Sequence, residues 1–166
     1  MRSLPVEDDH FHDQCGLVGV FGHPEAAHLA YMGLYALQHR GQETAGIAAA
    51  DAGRIRLEKG MGLVNDVFTA GRLESLAGDR ALGHVRYSTS GDTVATNAQP
   101  YLIECHRGPI AVGHNGNLVN AANLRQELEA AGSIFQSTSD TEVILHLYAR
   151  SHRERLEDAI AASLYT

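Results

Sequence analysis

Cys15 stands at the head of CGLVGVF, a short apolar run that ends at Gly22 and reads as a buried strand over Cys15 to Phe21. Among side chains, cysteine is the best nucleophile at neutral pH, because part of it is thiolate. The second cysteine, Cys105, reads as a small strand hydrophobe, with a metal site built from Cys105, His106 and His84 as its alternative. Four other stretches are dense in Gly and polar residues: His39-Arg40-Gly41-Gln42, His84 to Thr89, His114-Asn115-Gly116-Asn117 and Ser137-Thr138-Ser139-Asp140. Each lies where a predicted strand ends or a predicted helix begins, the places at which a rigid scaffold presents functional groups. Singly, none specifies a reaction. Asn-Gly is mostly a turn signal, and an Arg after a strand is ordinarily a solvated charge.

Composition narrows the chemistry. The net charge of −7 argues against nucleic acid or an anionic membrane as partner. Of 13 cations only Lys59 is lysine, and no G-x-x-x-x-G-K-[ST] exists, so a P-loop is excluded. No H-E-x-x-H and no C-x-x-C pair occurs, and no apolar run approaches the ~18 residues of a membrane span. Two cysteines form no disulfide framework, which points to a reducing, cytoplasmic compartment. The first 14 residues, MRSLPVEDDHFHDQ, are polar and acidic, lack a secretion signal's basic start and apolar middle, and read as a tail in which His10 and His12 are plain residues.

These groups need elements to hold them. The 166 residues suffice for one domain. After Pro24, Ala27, Tyr31, Leu34 and Leu37 recur at helical spacing. Gly46 to Asp51 and Arg54 to Lys59 read as strands joined at Ala52-Gly53, and Ala81 to Tyr87 as another. Tyr101 to Cys105 and Ile110 to His114 flank Gly108-Pro109, which predicts a hairpin. Asn120 is a predicted N-cap for a helix over Ala121 to Ala131 with Gly132 as its stop. Ser139 and Glu142 have capping-box spacing, with Asp140 at the first helical position, where the helix dipole favours its charge. Leu156 to Leu164 is helical in pattern. Strands first and helices after them favour an α+β layered fold with a mainly antiparallel sheet. Residues 87–98, rich in Ser, Thr and Gly, are the candidate for a mobile lid.

The five motifs CGLVGVFG at 15–22, ALQHRGQETAGI at 36–47, GHVRYSTSG at 83–91, HNGNLVN at 114–120 and TSDTEVI at 138–144 occur together and in this order. Jointly they resemble the amino-terminal-nucleophile glutaminase domain of class II glutamine amidotransferases. The match is nearest to the amidophosphoribosyltransferase family, which starts purine synthesis, and covers nearly everything from Cys15 onward. HRGQE separates the chain from the sugar-phosphate aminating relatives. The resemblance implies a four-layer α/β/β/α sandwich, expected here without its last strands. It also implies L-glutamine as substrate, with ammonia passed to phosphoribosyl pyrophosphate in a further domain.

The same resemblance assigns roles. Cys15 is the nucleophile, and its own α-amino group, with a pKa of about 7.7–8.0 when free, is the base. Asn115 and the Gly116 N–H form the oxyanion site, where two aimed donors meet the developing charge. Arg86 holds the substrate carboxylate and Asp140 its ammonium. Arg40 and Gly41 line the nucleophile, and Thr89 matches a side-chain contact.

Residues 1–14 are then expected to be a propeptide cut at Gln14–Cys15, because an amide nitrogen cannot serve as base. The domain is expected to occupy 15–166, with the phosphoribosyltransferase domain absent. No cofactor is expected in this stretch. Mg and, in some members, an iron–sulfur cluster would belong to the missing part of a homo-oligomeric parent enzyme. The alternatives are the glutaminase domain of a sugar-phosphate aminating synthase and a catalytically silent glutamine-binding module.

Overall fold

The computed structural model describes residues 15–87 and 94–165; the expected propeptide 1–14 and Thr89 lie outside the described residues. Six strands and six helices follow in the order β1 (Gly16–Phe21), α1 (Ala26–Ala36), β2 (Thr44–Asp51), β3 (Arg54–Met61), α2 (Val64–Val67), α3 (Ala70–Glu74), β4 (Arg80–Arg86), β5 (Tyr101–Cys105), β6 (Gly108–Val112), α4 (Ala121–Ala130), α5 (Thr141–Arg150) and α6 (Leu156–Leu164). Short 3-10 turns sit at Gln38–Arg40 and Ala95–Asn97.

Four strands form an antiparallel sheet in the order β1-β4-β2-β3, and β5 and β6 form a separate hairpin. Strand alternation divides the sheet's residues between its faces. Ala45, Ile47, Ala49, Ala81 and Val85 join Ala26, Ala27, Ala30 and Leu34 of α1 in the main core. Glycine allows the close approach of helix to sheet, since a Cβ at Gly33 or Gly83 would come within 2.9 Å of Val18 or Leu34. On the opposite face, Leu82 and Gly113 pack together and Gly46 meets the backbone of Gln99. Helix α5 lies against β5, and α6 against α5. The layers therefore run helix, sheet, hairpin, helices, the expected four-layer order, with two strands in the second sheet among the described residues.

Local signals account for most boundaries. Ala52 and Gly53 turn the β2–β3 hairpin at φ +47° and +81°, the left-handed pair a two-residue turn favours. Gly132 stops α4 at φ +91°, with the Gly132 N–H donating to Glu129 and the Ser133 N–H to Leu128, a Schellman ending.

Four expectations need correction. The second hairpin turns at His106-Arg107, and Gly108 and Pro109 are already in β6, opposite Cys105 and Glu104. Pairs alternate outward from the closing one, so Pro109 occupies a position at which no N–H is required. Strand β1 is an edge of its sheet rather than fully buried, and Phe21 is 82% exposed. At α5, Asp140 already has helical dihedrals, φ −62° and ψ −29°, and the Ser139 hydroxyl accepts the Thr141 N–H at 3.3 Å, so Ser139 caps the helix, but without the expected box. Glu142 does not close a capping box. Its carboxylate is buried against the N–H groups of Gln136 and Ser137 and the Ser137 hydroxyl, which satisfy it first. Finally, Asn97 and Ala98 are fully buried, and Asn97 exchanges hydrogen bonds with Thr138, so these two residues are no part of a lid.

Candidate functional site

Cys15 precedes β1 and is buried. The register that pairs Gly16 with Val85 brings it to the end of β4. Its Sγ donates to the Tyr87 carbonyl at 3.4 Å and receives the Tyr87 N–H at 3.5 Å. Its own carbonyl accepts from Asn115 Nδ2 at 2.9 Å and from Arg40 Nε at 3.4 Å. Three separated segments, around 40, 87 and 115, thus converge on one cysteine. An Asn side-chain amide has two N–H groups, so one can hold Cys15 while the other faces a substrate oxygen.

Arg86 ends β4 and is 4% exposed, far from a solvated surface charge. Its Nη1 donates to Glu43 Oε2 at 3.3 Å, a largely buried ion pair. The backbones are tied as well, with the Glu43 N–H donating to the Arg86 carbonyl at 3.2 Å. Gly41 lies directly against this strand. Its φ of −163° is ordinary extended backbone, but a Cβ would stand 2.7 Å from the Arg86 nitrogen. Glycine is needed there for the close approach, not for its conformation.

Asp140 meets the loop that carries Asn115 and Gly116. Its Oδ2 accepts the Leu118 N–H at 2.7 Å, and Oδ1 lies 3.4 Å from the Thr141 hydroxyl and 3.9 Å from His114 Nδ1. The side chain is 9% exposed. Position at the start of α5 adds the favourable end of the helix dipole. Loop 114–118 therefore joins the oxyanion candidates to the carboxylate candidate. Thr89 lies outside the described residues.

Residues not singled out from the sequence complete the site. Glu43 is one. Others are Gln38, whose Oε1 accepts the Val64 N–H at 2.7 Å, and Gln99, whose Oε1 accepts the His114 N–H at 2.7 Å. His84, fully buried, donates from Nε2 to the His114 carbonyl at 3.1 Å, while Nδ1 has no partner among the described residues. Burial holds its pKa down at about 4, with the nearby Arg86 charge adding to the effect, so at neutral pH the ring is uncharged. Glu43 stands inside the motif that carries Arg40 and Gly41, which could have drawn attention to it; Gln99 had no comparable signal.

Cys105 is half-buried on β5, with Sγ 3.7 Å from the Gly108 carbonyl, and both cysteines are free. Among the described residues, no three His, Cys, Asp or Glu side chains gather as a metal site. A cavity of about 360 Å³ between β6, α5 and α6, lined by Leu82, Ile110, Val112, Ile144, Tyr148 and Leu164, is apolar and suits no amino-acid zwitterion. No helix among the described residues is long and apolar enough to cross a membrane.

Residues 71–161 match the family described as a glutamine amidotransferase domain. Among curated proteins, the chain is 54% identical over 145 residues to amidophosphoribosyltransferase 3, chloroplastic, of Arabidopsis thaliana, covering 87% of this chain and 27% of that protein. It is 50% identical over 153 residues to amidophosphoribosyltransferase of Bacillus subtilis, covering 92% and 32%. A solved structure described as the allosteric regulatory enzyme of purine biosynthesis superposes with a TM-score of 0.85 at 49% identity, over 90% of this chain and 32% of that one. The chain thus spans about a third or less of these relatives.

Proposed function

The chain belongs to the glutamine amidotransferase domain family, and on that premise we propose that it hydrolyses the side-chain amide of L-glutamine. Within a longer amidophosphoribosyltransferase, the ammonia would be delivered to phosphoribosyl pyrophosphate, in the first step of purine synthesis. The observation that carries the reading is the convergence of Arg40, Asn115 and the Arg86–Tyr87 strand end on Cys15. The amidophosphoribosyltransferases reported above favour this over a sugar-phosphate aminating enzyme.

Cys15 Sγ attacks the amide carbonyl. The free Cys15 amine takes the thiol proton and returns it to the leaving nitrogen, releasing ammonia and leaving a thioester. Water then attacks the thioester, and glutamate departs. During both steps negative charge gathers on the carbonyl oxygen, which the second Asn115 N–H and the Gly116 N–H stabilise. Arg86, oriented by Glu43, receives the substrate carboxylate. Asp140 receives its ammonium. Arg40 fixes the Cys15 backbone, and Thr89 contributes a side-chain contact.

With Gln14 attached, the Cys15 nitrogen is an amide and takes no proton, so removal of residues 1–14 is part of the reading. Intact mass after treatment with a glutamine-mimicking electrophile tests it. The expected product is a chain starting at Cys15 with one adduct. A chain that starts at Cys15, retains native circular dichroism and takes no adduct would overturn the proposal.

A further inference from the structure

Gln99 is 5% exposed and stands between the two sheets, in a segment that no catalytic role accounts for. Its amide is used at both ends. Oε1 accepts the His114 N–H at 2.7 Å, and Nε2 donates to the Thr141 hydroxyl at 3.4 Å. His114 immediately precedes Asn115, and Thr141 immediately follows Asp140. His114 Nδ1 lies 3.3 Å from the same Thr141 hydroxyl, closing a three-membered bracket. One side chain therefore ties the loop bearing the oxyanion donors to the helix start bearing the ammonium-binding carboxylate.

The bracket is itself anchored. Asn97 Nδ2 donates to the Thr138 hydroxyl at 2.8 Å, and its Oδ1 accepts the Thr138 N–H at 3.1 Å. Lys59 Nζ donates to the Ala98 carbonyl from β3. On β2, Gly46 leaves room for the Gln99 backbone, which a Cβ would strike. The first sheet thus fixes residues 97–99, and residues 97–99 fix both halves of the substrate grip.

We propose that Gln99 is a positioning residue that sets the separation between the Asn115–Gly116 oxyanion site and the Asp140 carboxylate, and so selects a substrate with glutamine's spacing between side-chain amide and α-ammonium. This rests on the function proposed above. A ligand that spans both groups feels the bracket; a reagent that needs only the thiol does not.

Two labelling rates at Cys15 test it, measured on the chain starting at Cys15. One uses 6-diazo-5-oxonorleucine, which carries both the electrophile and the amino-acid end. The other uses iodoacetamide, which carries neither an ammonium nor a carboxylate. Gln99→Met keeps the volume and removes both hydrogen bonds. The expected result is a slowing of about 10²-fold with the amino-acid reagent, a change within about twofold with iodoacetamide, and a KM for glutamine raised more than kcat is lowered. Thr141→Val, which removes the hydroxyl shared by Gln99, His114 and Asp140, should give a loss of the same pattern. Equal slowing of both reagents in each variant, or no slowing of either, overturns the positioning role. If the unaltered chain itself shows no preference for the amino-acid reagent, the glutaminase reading is what fails.

Discussion

Replacing Gly46 by alanine asks how rigidly the first sheet holds the site. Gly46 lies in β2, paired with Lys59 on one side and His84 on the other. An added Cβ would stand 2.1 Å from the Gln99 carbonyl oxygen and 3.0 Å from both the Gln99 carbon and the Lys59 Cβ. A carbon and a carbonyl oxygen settle at about 3.3 Å, so the gap must open by about 1.2 Å. Strand β2 is pinned by its neighbours, and the segment around Gln99 has to give. Stretching the 2.7 Å bond from the His114 N–H by that amount breaks it. Overpacking of this kind costs about 1–3 kcal/mol, which lowers the urea midpoint by about 1 M. Displacing the oxyanion loop by about 1 Å should lower kcat/KM for glutamine by about 10²-fold. Gly19→Ala on the edge strand, where a Cβ meets nothing within 4 Å, is the control. Urea unfolding and glutamate release measure the two effects. A Gly46→Ala protein that matches the control in both would refute the reasoning.

Two further outcomes follow from the geometry. Asn115→Ala should lower kcat by about 10²–10³-fold with little change in KM; a KM effect alone would make Asn115 a binding group rather than an oxyanion donor. His84, held neutral with a pKa of about 4 against 6.5 unfolded, stabilises the fold fully above pH 6.5 and progressively less as pH falls towards 4. The unfolded chain takes up the proton first, so about 3 kcal/mol should be lost across that window. Unfolding free energies of the parent and of His84→Gln between pH 7 and 4 check this, and parallel profiles would exclude His84 as the source.

Much of this arrangement could be read from the chain because its cues are local. Ala52-Gly53 and Gly132 announce their own turns, and the α1 face is written at helical spacing. Pro109 misled because proline suits a turn and an unpaired strand position equally well, and only the register separates them. Glu142 misled because its nearest donors belong to a bend that tertiary packing creates. The segments around Cys15, Arg86, Asn115 and Asp140 were marked in the sequence by their Gly and polar residues, and the fold brings them together. Glu43, Asn97 and Gln99 were not marked by partners of their own, which lie about forty residues away for Glu43 and Asn97, and 15 and 42 residues away for Gln99. An amide that bonds across such a distance has no periodicity and no neighbouring signature.

Lys59 is the chain's only lysine. Its Nζ is engaged with the Ala98 carbonyl and stands 5.0 Å from the centre of the Tyr101 ring. That half-buried amine is the one lysine side chain in the sequence, and burial lowers its pKa, so Lys59 and the α-amino group compete for an acylating reagent. Bioconjugation with an active ester therefore has two kinds of amine to choose from, Lys59 and the amino end. On a chain that begins at Cys15, a dye or biotin at the amino end would occupy the nitrogen proposed above as the base, so the tag itself would silence the proposed reaction.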